Sequence, residues 1–382
     1  MKRSLVALAI GTFALGIAEF GMMGILGNVA SGINVSIVQA GNLISLYSLG
    51  VAIGSPLLLL LRNIPLKKLM LILSAVIFIG NIGAALSPNY ATLLCARFVA
   101  GLPHGAYFGA GAIVCTRLAK QGAGAQAVAV MIGGMTVANL IGVPFATLVS
   151  NLLNWRMVFL GVAFIGLMAF IFINLWVPVI QPLPKTNIKG QFRFLGNLAP
   201  WLIYTGVFFG QASVYCWLSY IDPIMTEVTH FTPAVMTWVM MLAGAGMVAG
   251  NAYAGKLADK FGVSLVTGIL AASMLVVMPL LYFFAPFKIP SLILTFLATA
   301  GLFGIGGPLQ FLIVRYAKGG EMLGGAGIQI AFNVSNAMSA AVGGLAIHLG
   351  LGLASPAIVG LPFAAIGATA LFILHHKYDH GK

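Results

Sequence analysis

The sequence predicts an all-α integral membrane protein of twelve transmembrane helices, arranged as two pseudo-symmetric six-helix bundles. Three observations carry this: an apolar composition, twelve long apolar runs, and basic residues confined to alternate connections. Of 382 residues, 60% are hydrophobic and only 7% charged, with a mean hydropathy of +1.06. A soluble domain carries roughly a quarter charged residues to satisfy water over its surface, so most of this surface must face lipid. The 48 glycines agree, because small residues let helices approach closely where lipid supplies no hydrophobic drive between them.

A run of roughly 17–25 apolar residues spans a bilayer as a helix. Such runs fall near residues 5–27, 38–61, 69–86, 91–116, 126–150 and 157–178, then 200–221, 234–254, 264–284, 290–314, 323–349 and 355–374. The formal charge of +13 suggests nucleic-acid binding until the charges are placed. One side of the membrane holds Lys2, Arg3, Arg62, Lys67, Lys68, Arg117, Lys120, Lys185, Lys189, Arg193, Lys256, Lys260, Arg315, Lys318, Lys377 and Lys382. The other has only Arg156 and Lys288, with the acids Asp222 and Glu227. By the positive-inside rule both termini are cytoplasmic, and nucleic acid is excluded as a partner in favour of a lipid bilayer. Lys2 and Arg3 before an apolar run resemble a signal peptide, but the run is long and further spans follow, so it reads as an uncleaved first helix. Cys95, Cys115 and Cys216 lie far apart within spans and form neither a metal spacing nor a disulfide framework.

The longest polar stretch, 179–199, separates a first bundle at 1–178 from a second at 200–382 and reads as a cytoplasmic linker. The halves echo each other. Ala100-Gly101-Leu102 before Gly105 and Gly109 in the fourth span parallels Ala300-Gly301-Leu302 before Gly304, Gly306 and Gly307 in the tenth. Gly133-Gly134 with Asn139 in the fifth parallels Gly324-Gly325 with Asn333 in the eleventh. Parallel six-span repeats with a site near the midplane are a known transporter plan.

The first span reads Gly11-Thr12-Phe13, then Ala18-Glu19-Phe20-Gly21-Met22-Met23-Gly24. The fourth reads Arg97-Phe98-Val99-Ala100-Gly101-Leu102-Pro103-His104-Gly105-Ala106, and the fifth Gly134-Met135-Thr136-Val137-Ala138-Asn139-Leu140-Ile141-Gly142-Val143-Pro144, followed by Asn154-Trp155-Arg156. Together these resemble the major facilitator superfamily over nearly the whole chain, and most closely its drug and sugar:proton antiporter branch. The resemblance implies proton-coupled efflux of a sugar, sugar analogue or drug, driven by the proton gradient with no cofactor. It also implies that Gly142 and Pro144 belong to a region restricting leak. The family's loop acid matches in the second half, Gly255-Lys256-Leu257-Ala258-Asp259-Lys260-Phe261-Gly262, where it would latch the cytoplasmic side. The first-half loop, Gly54 to Lys68, lacks the acid.

Glu19 is the only acid well inside a predicted span, and an intramembrane charge is costly unless paired or functional. At ~1.5 Å per residue it lies roughly 20 Å from the cytoplasmic end of its helix, while Arg97 enters from the opposite face to roughly 10 Å. In a core ~30 Å thick these depths coincide, so a Glu19–Arg97 pair, direct or through water, is expected if the first and fourth helices adjoin. Burial and pairing set a carboxylate's proton affinity, which is what proton coupling requires; a fixed bridge that never titrates is the alternative. His104, seven residues beyond Arg97 on nearly the same face, can relay a proton or serve only in packing. His348 and the tail histidines His375, His376 and His380 read as interfacial.

Tyr204, Gln211, Tyr215 and Asp222 recur at helical spacing in the seventh span, and Gln329, Asn333 and Asn336 in the eleventh. With Gln310 and Asn139 they form a candidate solute path suited to polyhydroxyl or polar–aromatic small molecules, although interhelical hydrogen bonding would account for each singly. Pro103, Pro144 and Pro308 are expected to kink or loosen their helices, and Gly133, Gly134 and Gly142 to allow close packing at a moving interface between halves, with fixed close packing as the alternative. A uniporter or proton symporter for a sugar or metabolite is the alternative transporter. A receptor would need a signalling domain, and an enzyme a paired nucleophile and base or a metal cluster; neither is visible. No phosphate-binding loop is present. The expected form is a monomer in the bacterial inner membrane.

Overall fold

A computed structural model describes residues 2–56, 61, 63–119, 124–180, 192–318 and 320–378. Arg62, Lys120, Lys185, Lys189, His380, Lys382 and most of the expected linker lie outside the described residues. Among the described residues, eleven helices are long and apolar enough to cross a membrane: α1 Arg3–Gly24, α2 Ile37–Gly54, α3 Leu66–Leu86, α4 Tyr90–Leu118, α5 Ala127–Leu152, α6 Trp155–Trp176, α8 Pro233–Phe261, α9 Val263–Phe284, α10 Lys288–Tyr316, α11 Leu323–His348 and α12 Pro356–Tyr378. The twelfth, α7 Leu198–Leu218, is less apolar because it carries Trp201, Tyr204, Gln211 and Tyr215. Burial explains part of that tolerance: every residue from Gly210 to Leu218 is buried against protein, so Gln211 and Tyr215 do not face lipid.

The helices pack by one scheme used twice. In the first half α1 packs on α5 and α6, α2 on α4, and α3 on α6; in the second α7 packs on α11 and α12, α8 on α10, and α9 on α12. Glycines set the closest approaches: a Cβ at Gly101 would meet the Tyr47 carbonyl between α4 and α2, and one at Gly250 the Ala300 carbonyl between α8 and α10. The halves meet through α2 with α11 and α5 with α8, which the repeat makes equivalent.

Side-chain bonds fix the ends. Ser4 donates to the Trp176 carbonyl (2.6 Å), Lys67 to that of Asn174 (2.8 Å) and Tyr316 to that of Tyr378 (3.1 Å), so both chain ends share one end of the bundle. At the far end Asn28 donates to Ser150 (2.9 Å) and Asn151 (2.7 Å), and Arg156 to the Ser87 carbonyl (2.8 Å). Hydrogen bonds joining the halves run from the middle to this far end: Asn336 to Glu19 (3.5 Å), Ser45 to the Ala337 carbonyl (2.9 Å), Gly27 N–H to Asp222 (2.6 Å) and Asn151 to the Pro233 carbonyl (2.7 Å).

The prolines act unequally. Pro103 opens a new helical segment after a break at Leu102. A π-turn at Ala138–Gly142 precedes Pro144, accommodating its missing N–H. Pro308 instead lies within the continuous α10. Gly142 and Gly134 also depart from expectation. They face α1 within the same half, Gly142 against Ile17 and Phe13 and Gly134 against the Ala9 carbonyl, while Gly133 has open space beside it. This segment meets the other half through the backbone of Asn139 and Leu140, which lies against Gly244 of α8.

Candidate functional site

Glu19 occupies the last turn of the regular part of α1, immediately before a 3-10 turn at Gly21–Gly24. It is 1% exposed. One carboxylate oxygen, Oε2, lies 3.7 Å from His104 Nε2; the other accepts from Asn336 Nδ2 of α11 at 3.5 Å. The carboxylate therefore touches both halves of the protein.

His104 is held from two sides. Its Nδ1 is 2.9 Å from the Tyr47 hydroxyl, and its ring stacks on Phe108 with centroids 5.3 Å apart. If Tyr47 donates to Nδ1, the neutral ring carries its proton on Nε2, directed to Glu19. Two titratable groups and a phenol thus form a row, Glu19–His104–Tyr47, across α1, α4 and α2.

The direct form of the expected Glu19–Arg97 pair does not occur. Arg97, fully buried, donates through Nη1 to the Ala18 carbonyl (2.8 Å) and through Nε to the Leu43 carbonyl (3.4 Å). Its guanidinium lies over the Tyr47 ring, 4.3 Å from the centroid, with Phe159 at 5.6 Å. Depth brought Arg97 level with Glu19, but the change from α-helix to 3-10 turn after Phe20 leaves α1 carbonyls in need of donors, and the guanidinium takes one. Arg97 remains within electrostatic range of Glu19, while His104 holds the position facing it.

The amide and tyrosine stripes meet where α7 packs on α11. Tyr215 sets its ring at 89° to Phe332, centroids 5.4 Å apart, and its hydroxyl has no hydrogen-bond partner among the described residues. It also lies within electrostatic range of Glu19. Gln211, one turn earlier, donates Nε2 to the Leu302 carbonyl of α10 at 2.7 Å. Asn333 donates Nδ2 to the Gln329 carbonyl at 3.0 Å. Tyr204 lies further toward the terminus-bearing end, donating to the Gly324 carbonyl at 3.2 Å, with the partly buried Gln310 nearby beside Gly325. Asn139 is buried on α5 at the contact with α8, its Oδ1 without a hydrogen-bond partner among the described residues. Glu19, His104, Tyr215 and Asn336 are thus drawn together, whereas Tyr204 and Gln310 form a separate group toward the terminus-bearing end.

Around Asp259 the loop motif is exposed. Gly262 adopts φ 93°, the left-handed region that glycine tolerates, and closes α8 by donating to the Ala258 carbonyl at 2.9 Å. Lys260 lies over the Phe261 ring (5.0 Å). Gly255 has open space where a Cβ would stand. Among the described residues, no ion pair within 4.0 Å involves Asp259, and the closing contacts instead lie at the far end.

Two contributors carry no clear sequence signal, and a third has a role the sequence does not show. Tyr47 was hidden in an apolar span, though Ser45, Tyr47 and Ser48 mark α2 as more polar than its neighbours. Phe332 carried no polar signal. Asp222, seen as one of a stripe, is 8% exposed and bridges the halves, accepting from Gly27 N–H at 2.6 Å. Burial pushes its carboxyl up from 3.8 to about 6, against the lowering effect of the Gly27 N–H, with Glu227 adding to the rise.

Known proteins place this arrangement in a family. The chain is 42% identical to the putative transporter AraJ of Escherichia coli (strain K12), over 97% of this chain and 95% of that protein. It is 27% identical to a probable sugar efflux transporter of Helicobacter pylori (strain G27), over 96% and 93%. The fold matches the crystal structure of a bacterial homolog of the human lysosomal transporter Spinster, in an inward-facing and unoccupied conformation, with TM-score 0.74 and 16% identity, covering 98% of this chain and 96% of that one. Residues 8–324 match the sequence profile of the Major Facilitator Superfamily. With twelve helices in a repeated packing scheme, a buried carboxylate at the junction of the halves and these likenesses, the chain belongs to the Major Facilitator Superfamily: it is a multi-pass membrane secondary transporter of small molecules, not an enzyme.

Proposed function

We propose that the protein is a proton-coupled efflux transporter that exchanges protons for a small solute such as a sugar, sugar analogue or drug. The halves 1–178 and 200–382 rock against each other about the α2–α11 and α5–α8 contacts, alternately exposing the site between them. The basic end that carries both termini faces the cytoplasm of a bacterial inner membrane, and the chain works as a monomer without a cofactor, powered by the proton gradient.

One observation supports this reading most: Glu19 is buried on one half and accepts a hydrogen bond from Asn336 of the other. Rocking the halves apart must break that contact and hydrate the carboxylate. Its affinity for a proton then differs between the two states, because burial and hydrogen bonding both set it. A proton carried in one state and released in the other is the coupling step. His104 and Tyr47 extend the row along which that proton moves, and Arg97 provides the fixed positive charge that makes a carboxylate tolerable at this depth. The solute is held by Gln211, Tyr215, Asn333 and Asn336, with Asn139, Tyr204, Gln310 and Gln329 along its path. Asp259, Lys260, Gly255 and Gly262 act as the cytoplasmic latch when that end closes, and Gly142 and Pro144 keep α5 against α1 during the motion. The sugar efflux name of the Helicobacter relative supports both direction and solute class.

Proteoliposomes with an imposed pH gradient test the reading. Solute exit coupled to proton entry is expected in the wild type, and Glu19→Gln should retain solute exchange but lose proton-driven accumulation. Unchanged accumulation in Glu19→Gln removes the coupling role. Solute flux indifferent to pH would make the protein a uniporter, and protons moving with the solute a symporter.

A further inference from the structure

The side chains at the α7–α11 junction share a bias in the way their amides are oriented. Gln211 and Asn333 each donate their NH2 group to a backbone carbonyl, at 2.7 and 3.0 Å. A carbonyl only accepts, so these bonds fix which end of each amide points where. Asn336 likewise spends an N–H on the Glu19 carboxylate. The opposite ends, Gln211 Oε1, Asn333 Oδ1 and Asn336 Oδ1, together with Glu19 Oε2, which faces His104 Nε2 at 3.7 Å, are buried and accept no hydrogen bond among the described residues. Each residue is 1% exposed or less.

These atoms belong together. Gln211 and Tyr215 are one turn apart on α7, Asn333 and Asn336 one turn apart on α11, and the two helices pack through Tyr215 and Phe332. Glu19 joins from α1 through Asn336. Every amide here keeps two lone pairs against one remaining N–H, and the carboxylate oxygen adds acceptors with no donor. The unspent capacity of the cluster is therefore acceptor-rich, with the Tyr215 hydroxyl its adaptable member.

We infer that this cluster selects its solute by O–H and N–H donors: it takes neutral or cationic molecules carrying several hydroxyl or amino groups and rejects anions and fully alkylated ethers. A buried acceptor left without a donor costs free energy, and sites built to hydrogen-bond a ligand's O–H or N–H discriminate strongly against analogues lacking it. An anion adds further acceptors beside Glu19, which compounds the mismatch. A polyol and an amine offer the same donor chemistry, and the Glu19 charge favours the amine only while the carboxylate is ionised. The inference rests on the transporter reading but not on proton coupling.

The test is equilibrium binding to the purified full chain in nanodiscs, by calorimetry, with matched series. Each of three scaffolds, an aldopentose, a hexitol and a cyclitol, is offered as the parent, as an amino-deoxy derivative, as the per-O-methyl ether and as the corresponding carboxylic acid. Parents and amino derivatives are expected to bind, with the ethers and acids at least about tenfold weaker. Running the amino derivatives at pH 5 and pH 8 separates hydroxyl from ammonium recognition. Gln211→Met should weaken parent binding while Gln211→Glu, which when protonated donates to the Leu302 carbonyl and keeps an acceptor, retains it at pH 5; a thermal unfolding midpoint for each variant shows that it is folded. An ether or acid that binds as tightly as its parent overturns the inference, as does failure of every parent and amino derivative to bind at millimolar concentration. Donor-selective binding with no proton flux in liposomes would leave this inference standing and defeat the antiport reading.

Discussion

Asp222 offers a quantitative test of how the far end closes. It lies beyond the C-terminal end of α7 and accepts from Gly27 N–H of the other half at 2.6 Å. Burial lifts its carboxyl from 3.8 to about 6 in this closed arrangement. If opening the far end returns the carboxyl to water, its proton affinity falls back toward the ordinary value. A group whose affinity is raised in the closed form stabilises that form when protonated. The contribution is complete below about pH 4 and is lost as pH rises through about 6. At 1.36 kcal/mol per pKa unit the full effect is at most about 3 kcal/mol, or roughly a hundredfold in the ratio of closed to open. Asp222→Asn keeps an oxygen that accepts from Gly27 but cannot ionise, so it should hold the far end closed at every pH. The assay is pulsed electron spin resonance between labels at Leu153→Cys and Ile289→Cys, both 73% exposed, after replacing the exposed Cys95. Between pH 4.5 and 8 the wild type should lose its closed-distance population as pH rises, and Asp222→Asn should not. The reasoning fails if the closed population grows with pH, or if Asp222→Asn titrates like the wild type.

Two further outcomes follow from packing. Arg97→Met leaves the Ala18 and Leu43 carbonyls without their donor and removes the cation over Tyr47, so thermal unfolding should show a loss of about 1.5–3 kcal/mol, the scale for a charged hydrogen bond; an unchanged midpoint would mean those contacts are unimportant. Gly134→Ala and Gly244→Ala should separate fold from motion. The first collides with the Ala9 carbonyl inside one half and should cost about 1–3 kcal/mol of stability. The second collides with the Asn139 carbonyl across the halves and should open the far end in the same spin-label assay with a smaller loss of stability.

Much of the site was legible because intramembrane polarity is costly and therefore sparse. Glu19, His104, Gln211, Tyr215, Asn333 and Asn336 stand out against an apolar background, and helical spacing alone puts each set on one face. Depth also ran true: Arg97 does reach the level of Glu19. What depth could not supply was direction. The guanidinium turned to the Ala18 carbonyl because α1 tightens into a 3-10 turn after Phe20, and no residue count shows where a helix changes its hydrogen-bonding pattern. Tyr47 escaped notice for a related reason, since its importance comes from touching His104, a contact between helices distant in sequence. Gly142 shows a related limit, because a glycine announces close approach without naming the partner. Here the partner is α1 in the same half rather than the facing half.

Composition, run length and charge alternation by themselves determined the helical membrane class, because lipid leaves a chain few ways to satisfy its backbone, and the paired glycine motifs pointed to the repeat. The residue types able to hold a proton or a hydroxyl were equally fixed by the sequence. Tertiary structure decided which of them meet. It set Glu19 between His104 and Asn336 rather than on Arg97, oriented the amides through backbone carbonyls, and closed the far end through Asp222. Each of these depends on the angle and offset at which one helix crosses another, a quantity set by packing over the whole interface and written in no single segment.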